Sequence, residues 1–536
     1  MRFKQQSRAG FTPLAVAAVV VGLFVAGRGV SASEQVAAPQ PAAVPSQRPP
    51  AGQGPALAIS VDEAVRLALQ NNLGVEAERL GPQIASLGVA QARAAYTPLL
   101  FSTTTTTNSD RPPSDFLTGT GNVITSGSTR SNVGVGQNMK WGGGQYSVSF
   151  LGTRSTTTGF AGFNPNLGAN LDASFSQPLL RNFKIDAFRQ QLLLSRNTEA
   201  IADVDLRQRV TQLSRGVRNA YYSLVGAISG LDVARQSLEL AQSQLKNNQR
   251  KVEVGVMAPI DILEAEAEVA RVEETVILAE TQIRSAEDAL RALVLNPARP
   301  DFWSTQVEPT EQLTVAPRNI DVDAAVANAL ASRTDLLSLK KRVESTDINV
   351  SYLKNQKLPE VNVVANYGVV GIAGTQIDWD YSNFTERSRS QRSFADALRD
   401  VFGNDFRAWS LQFVVRYPIG TSAADAALAA TRLQRQQQVT TIRELEMQVT
   451  NQVRDAGRQI TASLQRVAST KKARELAERR LHAEQKRLDA GLSDTFRVFQ
   501  VQRDLAVAKR SEVQAVIDYN RALVNFEAVQ QVPIGF

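Results

Sequence analysis

The chain has 536 residues, 43% hydrophobic and 21% charged, with no cysteine, one histidine and a formal charge of +7. That composition excludes disulfide frameworks, thiolate metal sites and any site built on several histidines. Without the first 32 residues, which hold four basic residues and no acid, 55 basic residues face 52 acidic ones. Such a near balance makes no case for nucleic-acid binding and suits Lys and Arg spread over solvated helix faces.

At the start, Arg2, Lys4 and Arg8 precede an apolar run from Leu14 to Ala26, and Val30-Ser31-Ala32 supplies the small residues of a cleavage site. Residues 1–32 therefore read as a secretory signal, the apolar core being too short for a spanning helix. Residues 33–58, rich in Pro, Ala and Gln, read as an unpacked leader. With no cysteine to acylate, the protein is expected not to be lipidated.

A first repeat is expected over 59–300. VDEAVRLALQNN from Val61 opens a helical stretch, and after Pro98 the Thr-rich run from Leu99 to Asn108 favours a strand. SNVGVGQNMK and QYSVSFLGTR flank Trp141-Gly142-Gly143-Gly144 and read as a hairpin; NLGANLDASFSQ is a last strand before Pro178. Strands thus fall within about 98–178, each near ten residues, the length a tilted strand needs to cross a bilayer. From Ile185 to Glu253 no proline occurs, so one unbroken helix there would be ~100 Å long. Gly216, Gly226 and Gly230 leave one rod or two stacked ones open.

The helical hairpin expected over 185–297 carries a heptad seam. Leu231, Leu238, Leu245 and Val252 recur every seven residues, with Ala234, Ala241 and Asn248 three behind. Gly255 and Pro259 reverse the chain, and Val269, Val276, Ile283 and Leu290 interleave with Val272, Ala279, Ala286 and Leu293 on the way back.

After a linker over 301–320, the pattern returns over 321–536. VDAAVANALASR from Val322 matches the segment from Val61, and Pro359 matches Pro98, both at a spacing of 261. Strands are expected at about 360–418 (VNVVANYGVV and WSLQFVVRYP), separated by a loop from about Gly371 to Arg407. A second hairpin over 422–530 repeats the tip at Gly491 and the return seam at Val498, Leu505, Tyr519 and Phe526. The chain is a tandem duplication.

No catalytic constellation emerges. His482 lies in a charged helical stretch; Glu264, Glu266 and Glu268 are two apart and point to different helix faces; the glycine-rich GVGQ and WGGGQ lack a following helix with Lys-Ser or Lys-Thr. No enzyme activity, cofactor or metal is expected. If the strands lie in lipid, one chain supplies too few to close a barrel, and an open edge cannot face lipid, so an oligomer is required. The competing reading is a structural coiled-coil protein of the periplasm or cell surface with an adhesive β head.

Taken together, the signal, the VDEAVRLALQNN opening, Pro98 before a strand, QPLL after one, VEVGVMAPIDILEAEAEVA and its second copy resemble the TolC-like outer-membrane efflux protein family. The likeness runs from about Ile59 to Gln530. It implies a mainly α fold of long coiled-coil hairpins in two tandem repeats, a trimeric α-barrel tunnel joined to a shared transmembrane β-barrel. It further implies a homotrimer in outer-membrane lipid, a periplasmic adaptor (membrane fusion protein) and an inner-membrane transporter, serving drug or metal efflux or type I secretion of polypeptides, with no nucleic acid. The family's adaptor-docking tips fall on Val254, Gly255, Val256 and Pro259 and on Ala490, Gly491, Leu492 and Ser493. Its narrowed periplasmic entrance falls on Asp261, with Arg497 and Gln500 in the second copy where some relatives carry acids. Asp261 and Arg497 are expected to lie near each other as a latch. The family pattern gives four strands per subunit and twelve per trimer; the hairpin around Gly143 either enlarges that number or extends outside the membrane.

Overall fold

The structure, a computed structural model, describes residues 56–113, 123–311, 314–318, 320–380, 382 and 385–531. The expected signal and most of the leader lie outside the described residues; the leader's last three residues are in fact the start of a strand, β1 (Ala56–Ile59).

Each half of the chain runs helices, strands, then a helical hairpin. First come α1 (Val61–Asn71), α2 (Leu73–Ala94), strands β2 (Leu99–Arg111), β3 (Ile124–Asn138), β4 (Gln145–Thr157) and β5 (Phe163–Pro178), then α3 (Ala187–Glu253) and α4 (Ile260–Val294). After β6 (Gln306–Pro309) follow α5 (Val322–Ser332), α6 (Thr334–Gln356), β7 (Glu360–Asp380), β8 (Thr385–Arg392), α7 (Phe394–Gly403), β9 (Arg407–Arg416), α8 (Ala423–Asp489) and α9 (Thr495–Gln530).

The long helices are single rods. α3 and α8 have 67 residues each, about 100 Å. Asp186 caps α3 by accepting from the Arg189 amide, and Ser422 with Asp425 forms a capping box at the start of α8. The glycines do not break α3, and one of them serves packing: a Cβ on Gly226 would fall 2.1 Å from the Ile517 side chain of α9. The heptad seam is where the hairpins close, with Leu231, Ala234, Ala241, Val272, Ala286 and Leu290 buried.

Midway along α3, a compact collar forms around the helices. β1 pairs in parallel with β6, inside a cluster that gathers Val65, Val217, Leu224, Leu290 and Phe302 from α1, α3, α4 and the segment before β6. Tyr221 locks it, donating to the Ile59 carbonyl at 3.1 Å while accepting from the Glu311 amide at 3.1 Å.

The remaining strands form one seven-stranded antiparallel sheet in the order β2-β3-β4-β5-β7, with β8 and β9 both on the far edge of β7. Registers place Tyr146, Val148 and Phe150 beside Phe175, Ala173 and Leu171, then beside Ala365, Tyr367 and Val369. Trp409 and Leu411 complete the row. One face is therefore apolar and the other, with Ser149, Asp172, Ser174, Asn366 and Ser410, is polar, as strand alternation requires. On the polar face Ser174 donates to Asn366 at 2.8 Å and Asn366 to Ser410 at 3.2 Å. Among the described residues much of the apolar face is uncovered: Trp409 is 75% exposed and Phe413 67%.

Three expectations change here. Most strands have 13 to 21 residues rather than about ten. The segment from Gly371 to Arg407 is not a loop but the rest of β7, then β8 and α7; β8 reads TERSRSQR and is exposed along nearly its whole length, so it carries no apolar alternation to detect. The sheet also holds more strands than the four per subunit that the resemblance implies.

Candidate functional site at the helix tips

Both tips end on the same hydrogen-bond pattern. Val256 N–H donates to the Lys251 carbonyl at 3.0 Å and Gly255 N–H to Val252 at 2.9 Å; Leu492 N–H donates to Arg487 at 2.8 Å and Gly491 N–H to Leu488 at 3.1 Å. This is the Schellman closure of a helix, which needs a left-handed residue just past the C-cap. Gly255 (φ 75°) and Gly491 (φ 69°) supply it.

Past each glycine the two copies differ. Pro259 stands just before α4 without a side-chain cap, whereas Asp494 caps α9 by accepting from the Arg497 amide at 2.7 Å. Ser493 donates to Glu484. Val254, Val256 and Leu492 are each more than 70% exposed, and Ile260, Leu263 and Phe496 add further uncovered apolar surface. These last three were not legible as tip residues, because an apolar side chain in a helix is read as core unless its partner is known to be missing.

Asp261 and Arg497 do not pair within the protomer. Asp261 is half-buried and its carbonyl accepts from Asn248 at 3.2 Å, while Arg497 and Gln500 are exposed. Asn248, fully buried at a seam position, in turn accepts from Gln244 at 2.9 Å; a polar group there fixes the register of α3 on α4.

The link between hairpins lies one to two turns deeper. Glu268 of α4, with a side chain 4% exposed, accepts from Arg503 of α9 at 2.7 and 3.1 Å and from Arg271 of its own helix at 3.0 Å. Burial alone pushes the Glu268 carboxyl up, but the two guanidiniums outweigh it and hold the group below the usual carboxylate range. Lys251 and Asp489 make a second, exposed bridge at 3.3 Å between the ends of α3 and α8. The sequence gives Glu268 no mark that separates it from Glu264 and Glu266; only the packing of α9 against α4 does.

The sequence profile of the family described as Outer membrane efflux protein matches residues 145–294 and 325–529. The chain belongs to the outer membrane efflux protein family. Curated protein sequences yield no match. Among solved structures, this outer membrane efflux protein shares its fold with the CmeC outer membrane channel of Campylobacter jejuni (TM-score 0.62, 13% identity, 88% of this chain and 85% of that one). It is equally similar to VceC of Vibrio cholerae (0.61, 16%, 88% and 95%) and to the open state of the MtrE channel of Neisseria gonorrhoeae (0.59, 15%, 88% and 88%). The protein is thus an outer-membrane efflux protein with the fold of these channels, its sheet belonging to a β-barrel and its long helices to a tunnel.

Proposed function

We propose that this outer membrane efflux protein is a passive homotrimeric exit duct of a tripartite efflux or type I secretion system. The observation that carries this reading is a sheet with one apolar face whose edge strands, β2 on one side and β8 and β9 on the other, each have a single neighbour among the described residues. Backbone groups at such edges must be paired inside a bilayer, and further copies of the chain provide the partners. An adhesive head in water would not carry Trp409, Phe413 and Val415 uncovered on one face.

In this reading a periplasmic adaptor docks on the tips, from Val254, Gly255, Val256 and Pro259 in one hairpin and Ala490, Gly491, Leu492 and Ser493 in the other, and an inner-membrane transporter supplies the energy. Asp261, Arg497 and Gln500 line the entrance, where three copies put like groups in a ring. The adaptor opens the duct by binding the splayed tips more tightly than the closed ones.

The test is the state of the purified protein. A trimeric mass in detergent by light scattering, recovery in outer-membrane fractions and heat-modifiable migration are expected. A water-soluble monomer indifferent to detergent would overturn the reading.

A further inference from the structure

We infer that the barrel of this protein is built from six strands per chain, and that β2 of one copy pairs with the β9–β8 edge of the next. The trimer then closes an eighteen-stranded barrel, three times six. The inference rests on the trimeric reading above.

The first support is where the β3–β4 hairpin closes. Its turn sits at the helical end of the sheet: Gln137 and Asn138 donate to the Tyr96 and Ala95 carbonyls at 2.8 and 2.9 Å, and Gln177 donates to the Gly142 carbonyl at 2.8 Å. Gly143 (φ 68°) is pressed so closely onto the turn before α3 that a Cβ would fall 2.4 Å from the Asn182 carbonyl oxygen. A hairpin closed against the helices crosses the same depth as its neighbours and is not an extension beyond the far rim.

The second is continuity. The β3–β4 ladder runs from Ser126 paired with Thr157 to Asn138 paired with Gln145 without a register shift, and β2–β3 runs unbroken from Leu99 to Arg111. Both faces continue across it. Val133 and Val135 lie beside Phe150 and Val148 on the apolar side, while Asn132, Gly134 and Gly136 lie beside Leu151, Ser149 and Ser147 on the other. Closing a smaller barrel through β4 would strip the β3–β4 ladder of its place in the wall.

The third is the shape of the two edges. β8 pairs with Gly374–Asp380 and β9 with Glu360–Val369, so together they are one descending strand interrupted by α7. α7 lies on the apolar face, where Ala397 and Val401 pack on Ala169, Val369 and Ala373. It leaves the edge itself free. β2 leads away from the helices and β9 leads back to them, so the edges meet antiparallel, as an even number of strands per chain demands. Since barrel diameter grows roughly linearly with strand number, the wall would be about 1.5-fold wider than a twelve-stranded one.

The absence of native cysteine makes the edge contact directly readable. Cysteines at the inward positions Phe101, Thr103 and Thr105 of β2 are each combined with one at Ser410, Gln412 or Val414 of β9, oxidised in the intact full-length protein, and run on denaturing gels without reductant. We expect covalent trimers for one register of these pairs, and none when the β9 cysteines are combined with Ser147→Cys, Ser149→Cys or Thr153→Cys on β4. Light scattering of the same samples separates the two ideas. A trimer bridged through β4, or one bridged by no β2–β9 pair, overturns the strand assignment alone; a monomeric mass overturns the trimer as well.

Discussion

Glu268 of α4 and Arg503 of α9 meet at 2.7 Å, tying the two helical hairpins together a little above their tips. The carboxylate is buried and shared with Arg271, while both arginines are almost half exposed. Glu268→Gln therefore removes a charge from a protected position and leaves two guanidiniums that water can still reach. We expect a loss of about 1–2 kcal/mol, below the range for a fully buried pair, and a larger single-channel conductance in planar bilayers. Glu280→Gln, which breaks an exposed bridge to Arg235, serves as the comparison. Equal conductance for the two variants would show that the α4–α9 link does not hold the entrance.

The same contact sets a pH dependence. Because folding holds the Glu268 carboxyl below its unfolded value, its contribution is complete above the ordinary glutamate range near 4.3 and fades as pH falls through the lower folded value. Acidification below about pH 4 should thus raise conductance of the wild type, and Glu268→Gln should flatten that response. An unaltered acid response in the variant would assign it to other groups.

The left-handed glycines at the tips allow a cleaner separation of shape from packing. A Cβ at Gly255 or Gly491 meets nothing within 4 Å, so alanine there costs only the left-handed backbone, about 1–2 kcal/mol. Gly255→Ala and Gly491→Ala should leave global thermal unfolding nearly unchanged while amide exchange at Val256 and Leu492 accelerates, since their hydrogen bonds close the helix ends. Leu492→Asp keeps the turn and removes apolar surface; it should leave exchange alone and impair export in cells. Glycine and leucine variants behaving alike would mean that tip geometry and tip surface cannot be told apart.

How much of this was readable beforehand follows from the kind of signal each element carries. The heptads around Leu231 and Val272 and the glycines at 255 and 491 are local patterns, so the hairpins and their tips stand in the sequence. β8 is polar on both faces and has no period to find, although Ser393 and Asp396 do announce α7 through a capping box. Glu268 becomes distinctive only through Arg503, 235 residues away. A reading that works along the chain sees helix and strand periods well and long-range ion pairs not at all.

α7 comes closest to β7 at one glycine. A Cβ on Gly371 would stand 2.0 Å from the Ala397 carbonyl oxygen, a backbone atom that cannot turn aside. Gly371→Val should lift α7 from β7 at a cost of about 1–3 kcal/mol, without disturbing the strands below. Trypsin cleavage at Arg392 or Arg399 is the readout, expected to appear in this variant and not in Gly152→Ala, whose added methyl meets only ordinary contacts near 3.9 Å. Resistance in both would place α7 under constraints other than this contact.

Adjacent residues of β9 test which face of the sheet meets lipid. Trp409 pairs with Tyr367 on the apolar face and is 75% exposed, while Ser410 pairs with Asn366 on the polar face. A charged side chain toward the bilayer costs up to ~2–4 kcal/mol near the midplane and less toward the interfaces, whereas a lumen position is hydrated. Leu411→Arg and Phe413→Arg should therefore reduce the amount of heat-modifiable protein recovered in outer membranes. Ser410→Arg and Gln412→Arg should assemble normally and shift ion selectivity toward anions. The opposite pattern, with the even-numbered positions intolerant and the odd ones neutral, would invert the barrel wall.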